Sequence, residues 1–174
     1  GKISGNGKYT KLCQDFFEKR YEFKKCLLTT SCTDALEMCA ILANIEIDDE
    51  VIIPSYTFVS TALAFVRQGA KIIFADSNSE NPNIDATKLE ALITPKTKAI
   101  VPVHLFGRAA NMDAVMEIAK AHNLFVIEDN AQAIGANYTS SNGSKVKVGT
   151  IGHVAATSFF PSKNLGCYGD GGAI

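Results

Sequence analysis

Apolar positions along the chain follow two rhythms that alternate. Over residues 10–21, Leu12, Phe16 and Phe17 fall at helical spacing, with Lys11, Gln14, Lys19 and Arg20 on the other side. That is the pattern of an amphipathic helix. Residues 25–29 then read as a short strand, 30–33 as a turn, and an apolar helix runs from Asp34 to Ala43. A second strand covers 50–54, and residues 55–57 link it to a helix from about Phe58 to Gln68. A third strand spans 70–75, and 76–83 is a polar loop. The spacing predicts a short helix over 85–93 and a strand over 97–103, broken late by Pro102. A helix over 112–122 and a strand over 124–128 follow. Residues 139–147, rich in Ser, Asn, Gly and Lys, read as an exposed loop or hairpin tip, and 153–159 as a further strand.

Strands alternate with helices, and several strands are apolar almost without interruption. This predicts an α/β fold with a mostly parallel sheet covered on both faces. In such sheets ligands collect beyond the carboxyl ends of the strands. The polar residues with chemical potential fall at those ends: 31–33, 55–58, His104, 129–132 and 158–163.

Composition narrows the class. The 174 residues are 47% hydrophobic, enough for a sizeable core in one domain. A net charge of −1 argues against a nucleic-acid surface or a polybasic membrane patch. No apolar run has membrane-spanning length, and no charged start leads into an apolar core, so neither a span nor a signal peptide is read. The five cysteines, 13, 26, 32, 39 and 167, are odd in number and lack paired C-x-x-C spacing. They read as reduced thiols of a cytoplasmic protein, and no metal-ligand spacing is present. Both ends look cut: the chain opens on GKISGNG without an initiator Met and closes on GGAI, which reads as the start of a strand.

Lys163 sits in SFFPSKN (158–164), directly after the strand at 153–159. A lysine there can be a surface charge. It can also anchor an aldehyde cofactor, because a Schiff base needs an amine whose proton is displaced by desolvation or neighbouring charge. Pyridoxal 5′-phosphate (PLP) needs four things from a protein: a carboxylate on the ring nitrogen, a phosphate seat, a ring sandwich and the anchor itself. In TSCTDA (30–35), between strand and helix, Cys32 and Thr33 could offer an anion site, or Ser31 or Thr33 could simply cap the helix. Phe58, placed at the start of its helix, could stack on a planar ring or be a core aromatic. In EDNAQ (128–132), Asp129 could pair with a pyridinium nitrogen and Gln132 could reach a ring oxygen; a helix-capping Asp is the alternative. His104 could back up the carboxylate or contact substrate, or be structural. Ser158 could add a hydroxyl to the phosphate site. The glycines at 166, 169, 171 and 172 do not fit a dinucleotide or triphosphate loop.

Five separated stretches occur in the order found in the DegT/DnrJ family of sugar aminotransferases, which the chain resembles from about Gly5 to its last residue. They are SCTDAL (31–36), PSYTFVST (54–61), VHLFG (103–107), EDNAQ (128–132) and SFFPSKNLG (158–166) with GDGG (169–172). Within the family, residues 31–69 are similar to the dTDP-4-amino-4,6-dideoxygalactose transaminases. The resemblance implies a fold of the aspartate-aminotransferase type (PLP fold type I). It further implies that residues 1–174 belong to the PLP-binding large domain, without the start of the chain and the small C-terminal domain. It implies Lys163 as catalytic residue and covalent anchor, Asp129 on the pyridine nitrogen, Gln132 on the 3-hydroxyl oxygen, Cys32, Thr33 and Ser158 on the phosphate, and Phe58 on the ring. Asn164, beside the lysine, is an accessory or substrate-contact candidate with His104. The implied partners are a nucleotide-sugar substrate, an amino-acid donor (glutamate) and a second copy sharing the active site of a homodimer. The implied role is amination of a keto sugar for cell-surface polysaccharide or a related glycan. Dehydratase relatives carry His at the anchoring position, so Lys163 speaks for transamination; a non-catalytic regulatory relative is the other alternative. Cys32 stands where many members have Gly, and Asn130 where a small residue is usual.

Overall fold

The computed structural model describes residues 5–174. Four helices, α1 (Lys8–Tyr21), α2 (Cys32–Leu42), α3 (Ser60–Val66) and α4 (Met112–His122), surround a seven-stranded sheet. Its strands are β1 (Leu28–Thr29), β2 (Glu50–Pro54), β3 (Lys71–Ala75), β4 (Thr97–Ile100), β5 (Phe125–Asp129), β8 (Val154–Ser158) and β9 (Gly172–Ala173). Strands β6 (Asn137–Thr139) and β7 (Lys145–Lys147) form a separate antiparallel hairpin, the exposed tip read from the sequence.

The sheet order is β1-β9-β8-β5-β4-β2-β3. The run β8-β5-β4-β2-β3 is parallel, and β9 lies antiparallel between β1 and β8. Both faces are covered, which is why the central strands read as continuous apolar runs. On one face Val51, Ile53, Val101 and Ile127 pack with α2 and α3 residues such as Leu36, Cys39 and Phe65. On the other, Ile52, Ile100 and Val126 pack with Met112, Val115 and Ala119 of α4 and with Leu89. A third cluster ties α1 to the sheet edge, where Phe17 stacks on Phe159 at 5.1 Å between ring centroids.

Several boundaries move from those read in the sequence, each for a local reason. The strand at 25–29 is β1 over Leu28–Thr29, with Leu27 and Ile174 exchanging backbone hydrogen bonds at 2.8 and 2.9 Å beside it, while the Cys26 N–H leaves the ladder for the Glu18 carboxylate at 3.1 Å. Helix α2 begins at Cys32 rather than Asp34, since Ser31 Oγ accepts the Asp34 N–H at 3.0 Å and makes Ser31 the cap. Helix α3 begins at Ser60, so Phe58 precedes it, and it tightens after Val66 into Gly69 with φ +89°. Residues 85–93 form two 3-10 turns, Ala86–Lys88 and Glu90–Leu92, started by the Asp85 carboxylate on the Thr87 N–H. Strand β4 stops at Ile100; Pro102 has no N–H for the ladder, and Val103 rejoins through one bridge to Asp129.

Candidate functional site

The carboxyl ends of β1, β2, β4, β5 and β8 open into one cavity of about 510 Å³. Cys32, Thr33, Phe58, Asp129, Gln132, Ser158 and Lys163 all line it. Residues separated by up to 131 positions (163 − 32) thus face one volume.

Asp129 is the last residue of β5 and is buried. Its backbone N–H goes to Pro102 O at 2.9 Å, and its carbonyl accepts the His104 N–H at 3.0 Å, so the side chain is fixed at the strand end. Oδ2 accepts from Thr61 Oγ1 at 2.7 Å and Oδ1 from the Ala131 N–H at 3.1 Å. Burial pushes the carboxyl up from the ordinary carboxylate range, against the opposing pull of those two donors and the charge of Lys163. A cationic heterocycle in the cavity would relieve that cost.

Lys163 follows β8 across a loop that closes on itself: the Phe159 N–H reaches Gly171 O at 2.8 Å and the Lys163 N–H reaches Phe160 O at 2.9 Å. At Gly166 a Cβ would stand 2.5 Å from Pro161 O, so the loop needs glycine there. Ser158, buried at the end of β8, accepts the Phe160 N–H on Oγ at 3.3 Å.

The anion seat is the first turn of α2. Cys32 and Thr33 are its first two residues, and first-turn N–H groups have no acceptor within a helix. Their partial positive charge suits a phosphate. Burial pushes the Cys32 thiol far up, so the side chain is a neutral packing group and the backbone N–H is the contact it offers. Strand β9 presses against this turn: a Cβ on Gly172 would lie 2.5 Å from the Ser31 carbonyl and 2.6 Å from Cys32 N.

Phe58 is 71% exposed at the rim, which replaces the core-aromatic alternative with a ring open to the cavity. Gln132 Oε1 accepts the Phe106 N–H at 2.7 Å, leaving its NH₂ group as the donor the side chain can offer a ligand. The set therefore fits PLP by chemistry: an amine, a buried carboxylate short of positive charge, a helix N-terminus with hydroxyls, and a free aromatic face.

The family model described as the DegT/DnrJ/EryC1/StrS aminotransferase family matches residues 1–174. The chain belongs to that family. A "Pleiotropic regulatory protein" of Geobacillus stearothermophilus is 51% identical over 142 residues, which are 82% of this chain and 37% of that protein. The "UDP-2-acetamido-2-deoxy-3-oxo-D-glucuronate aminotransferase" of Pseudomonas aeruginosa is 45% identical over 151 residues, 87% of this chain and 41% of that one. The crystal structure of S. venezuelae DesV superposes with a TM-score of 0.89 at 39% identity, covering 98% of this chain and 45% of that chain. The chain thus spans less than half the length of these proteins. Its architecture is that of the fold type I PLP aminotransferases.

Two candidates of this DegT/DnrJ-family chain lie outside the cavity. His104 is fully buried; its Nδ1 accepts the Ala110 N–H at 3.1 Å and its Nε2 meets Glu128 Oε2 at 2.8 Å. It supports Glu128 rather than Asp129 and cannot touch a substrate. Glu128, on the opposite face of β5, also accepts from the N–H groups of Gly149, Ile151 and Gly152 at 2.6–2.7 Å. Burial raises its carboxyl, but the His104 bond and these amides outweigh it and hold it below the usual range. Asn164 turns away from the cavity, and its Nδ2 donates to Ile134 O at 2.9 Å, tethering the lysine loop.

Asn130 has a structural explanation. Its side chain fills space beside Gly149, where a Cβ would lie 2.8 Å from Asn130 Nδ2, and Gly149 holds φ +85°. Thr57 falls in the 55–58 stretch singled out from the sequence but has no role there, and Ser60 and Thr61 were missed; all three line the cavity. Thr33 Oγ1 donates to Ser60 Oγ at 2.9 Å, and Thr57 and Thr61 share a 2.8 Å hydrogen bond. The i, i+4 spacing of the two threonines was visible, but not that Asp129 lies opposite. Among the described residues, no helix is long and apolar enough to cross a membrane, and no cluster of three metal-ligating side chains occurs.

Proposed function

We propose that residues 1–174 belong to the PLP-binding large domain of a cytoplasmic, homodimeric PLP-dependent aminotransferase. It transfers an amino group from glutamate to a keto group of a nucleotide-linked deoxysugar, for surface polysaccharide or a related glycan. The observation that carries this is the single cavity faced by Lys163, Asp129, Gln132, Ser158, Phe58 and the start of α2. PLP, when bound, supplies an electron sink for the bonds of the amino-bearing carbon.

The chain's own groups account for the rest. Lys163 Nζ would be the covalent anchor, and its amine is placed to act as the general acid/base that moves a proton at the reacting carbon. Asp129 would set its negative charge against the ring nitrogen and favour its protonated form. The Gln132 NH₂ would serve the ring oxygen, Phe58 would cover a ring face, and the first-turn amides at Cys32 and Thr33, with the Ser158 hydroxyl, would hold the phosphate. The narrower reading, a dTDP-linked 4-keto-6-deoxyhexose as substrate, rests on the similarity of residues 31–69 to the dTDP-4-amino-4,6-dideoxygalactose transaminases.

A regulatory reading has in its favour the name of the Geobacillus relative. One experiment decides between them. The complete protein, loaded with PLP, is given glutamate and a panel of keto-sugar nucleotides. The aminotransferase reading expects 2-oxoglutarate and an amino sugar; a PLP-bound protein releasing no 2-oxoglutarate favours the regulator, and a protein that binds no PLP ends both.

A further inference from the structure

The buried carboxylate at Asp129 is not supported by backbone alone. Thr61 is fully buried in α3, and its Oγ1 donates to Asp129 Oδ2 at 2.7 Å. The same Oγ1 lies 2.8 Å from Thr57 Oγ1, which is half-buried in the wall of the cavity. The direction of this pair follows from proton counting. A carboxylate can only accept, so the single Thr61 hydroxyl proton is committed to Asp129. Thr61 Oγ1 must then accept, and the Thr57 hydroxyl is the donor.

We infer that Thr57 and Thr61 form an oriented hydroxyl relay, Thr57 to Thr61 to Asp129, that holds Asp129 ionised and aimed at the cofactor's ring nitrogen. Thr61 is thus a positioning residue of this aminotransferase. This deepens the function proposed above and rests on it.

Three observations support the inference. First, Asp129 has few other sources of support. Its remaining hydrogen bond comes from the Ala131 N–H at 3.1 Å. The ionisable groups around it are Cys32 and Cys39 from α2, His104 beyond β4 and Lys163 beyond β8. Burial pushes both thiols up, which keeps them uncharged, and His104 spends its Nε2 on Glu128. Second, a hydrogen bond to a charged acceptor in a dry interior is stronger than a neutral one, and one that is itself polarised by a second hydroxyl is stronger again. Third, the two threonines lie four residues apart where the chain enters α3, Thr61 inside the helix and Thr57 in the bend before it, so the relay joins the buried helix to the cavity wall.

The relay makes a distinction that packing does not. Val has the shape of Thr without the donor, and Ser has the donor without the methyl. The test uses the complete protein as T61V, T61S and T57V, each checked for folding by circular dichroism. Two readouts are taken apart from turnover: the PLP dissociation constant, and the pH titration of the visible absorption of bound PLP. T61V is expected to weaken PLP binding about tenfold or more and to shift the titration; T61S should restore both to within about threefold of wild type. T57V should move both readouts the same way by less. A T61V protein with wild-type affinity and titration overturns the inference, as does T61S impaired like T61V, which would leave only packing. If T61V does not fold, T57V decides, and unchanged readouts there overturn the relay. A wild-type protein that binds PLP but shows no visible band sinks the proposed function and this inference together, whereas a normal wild-type band with unresponsive variants sinks this inference alone.

Discussion

Glu128 and Asp129 are neighbours on one strand with opposite fates: Glu128 is wrapped by four N–H donors on one face of the sheet, and Asp129 has two donors on the other. Side chains of consecutive strand residues point to opposite faces, so β5 delivers one carboxylate to the core and the other to the cavity. The first carboxyl is held down and the second pushed up.

Glu128→Gln replaces one accepting oxygen with a donor that faces N–H groups already in place. The expected cost is about 3–5 kcal/mol, the range for breaking a buried charged partnership. The pH dependence has a definite sign. A carboxyl lowered in the folded state contributes stability above its unfolded value, about 4.3, and loses it as pH falls through the folded value. Urea melts should therefore show the largest gap between wild type and variant near neutrality, narrowing below about pH 4.

Asp129→Asn should act the other way on the cofactor-free protein. A carboxyl raised by burial carries a stability cost that grows as pH rises from its unfolded value through its folded one. The variant removes it. The cofactor-free protein should melt higher at pH 7, by roughly 2–4 °C if the cost is about 1 kcal/mol. Affinity for PLP should drop at least about tenfold, the loss of one charge-assisted contact. A variant that melts no higher would count against burial as the dominant effect at Asp129.

Lys163→Ala should abolish the borohydride-reducible link between protein and PLP, read by mass spectrometry, while some non-covalent PLP binding survives through the other cavity groups. A reducible adduct retained at another residue would refute the assignment of the anchor.

Gly172→Ala places a methyl 2.5 Å from the Ser31 carbonyl, against backbone that cannot rotate away. Overpacking of this kind costs about 1–3 kcal/mol. Because the contact is with the first turn of α2, phosphate affinity should fall with stability, measured as weaker PLP binding in the folded fraction.

Asn164→Ala cuts the tether from the lysine loop to Ile134 O without entering the cavity. Turnover is expected to fall about tenfold or more while PLP stays covalently held, since the loop positions Lys163 but does not form the link. Wild-type turnover would show that the closed loop suffices alone.

Much of this was legible in the residues themselves. The apolar run VIIP in β2 and the helical spacing from Met112 to His122 announced their elements because local periodicity and burial agree there. The five motifs announced the family, and seven of the nine site candidates do line the cavity. His104 and Asn164 do not line it, and the sequence left their roles open because a polar residue at a strand end or in a loop looks the same whether its side chain turns to the cavity or away from it. The boundary of α3 moved because its last turn tightens against Gly69, whose left-handed backbone is a property of the fold around it.

The sequence by itself determined which elements form, which apolar faces they bury and which chemical groups stand at strand ends, since those follow from period and residue type within a few neighbours. Only the tertiary structure decided the insertion of β9 between β1 and β8, the pressing of Gly172 on the α2 turn, and the meeting of Thr61 with Asp129 across 68 positions. Contacts between distant segments depend on sheet order and register, which no local run of residues encodes.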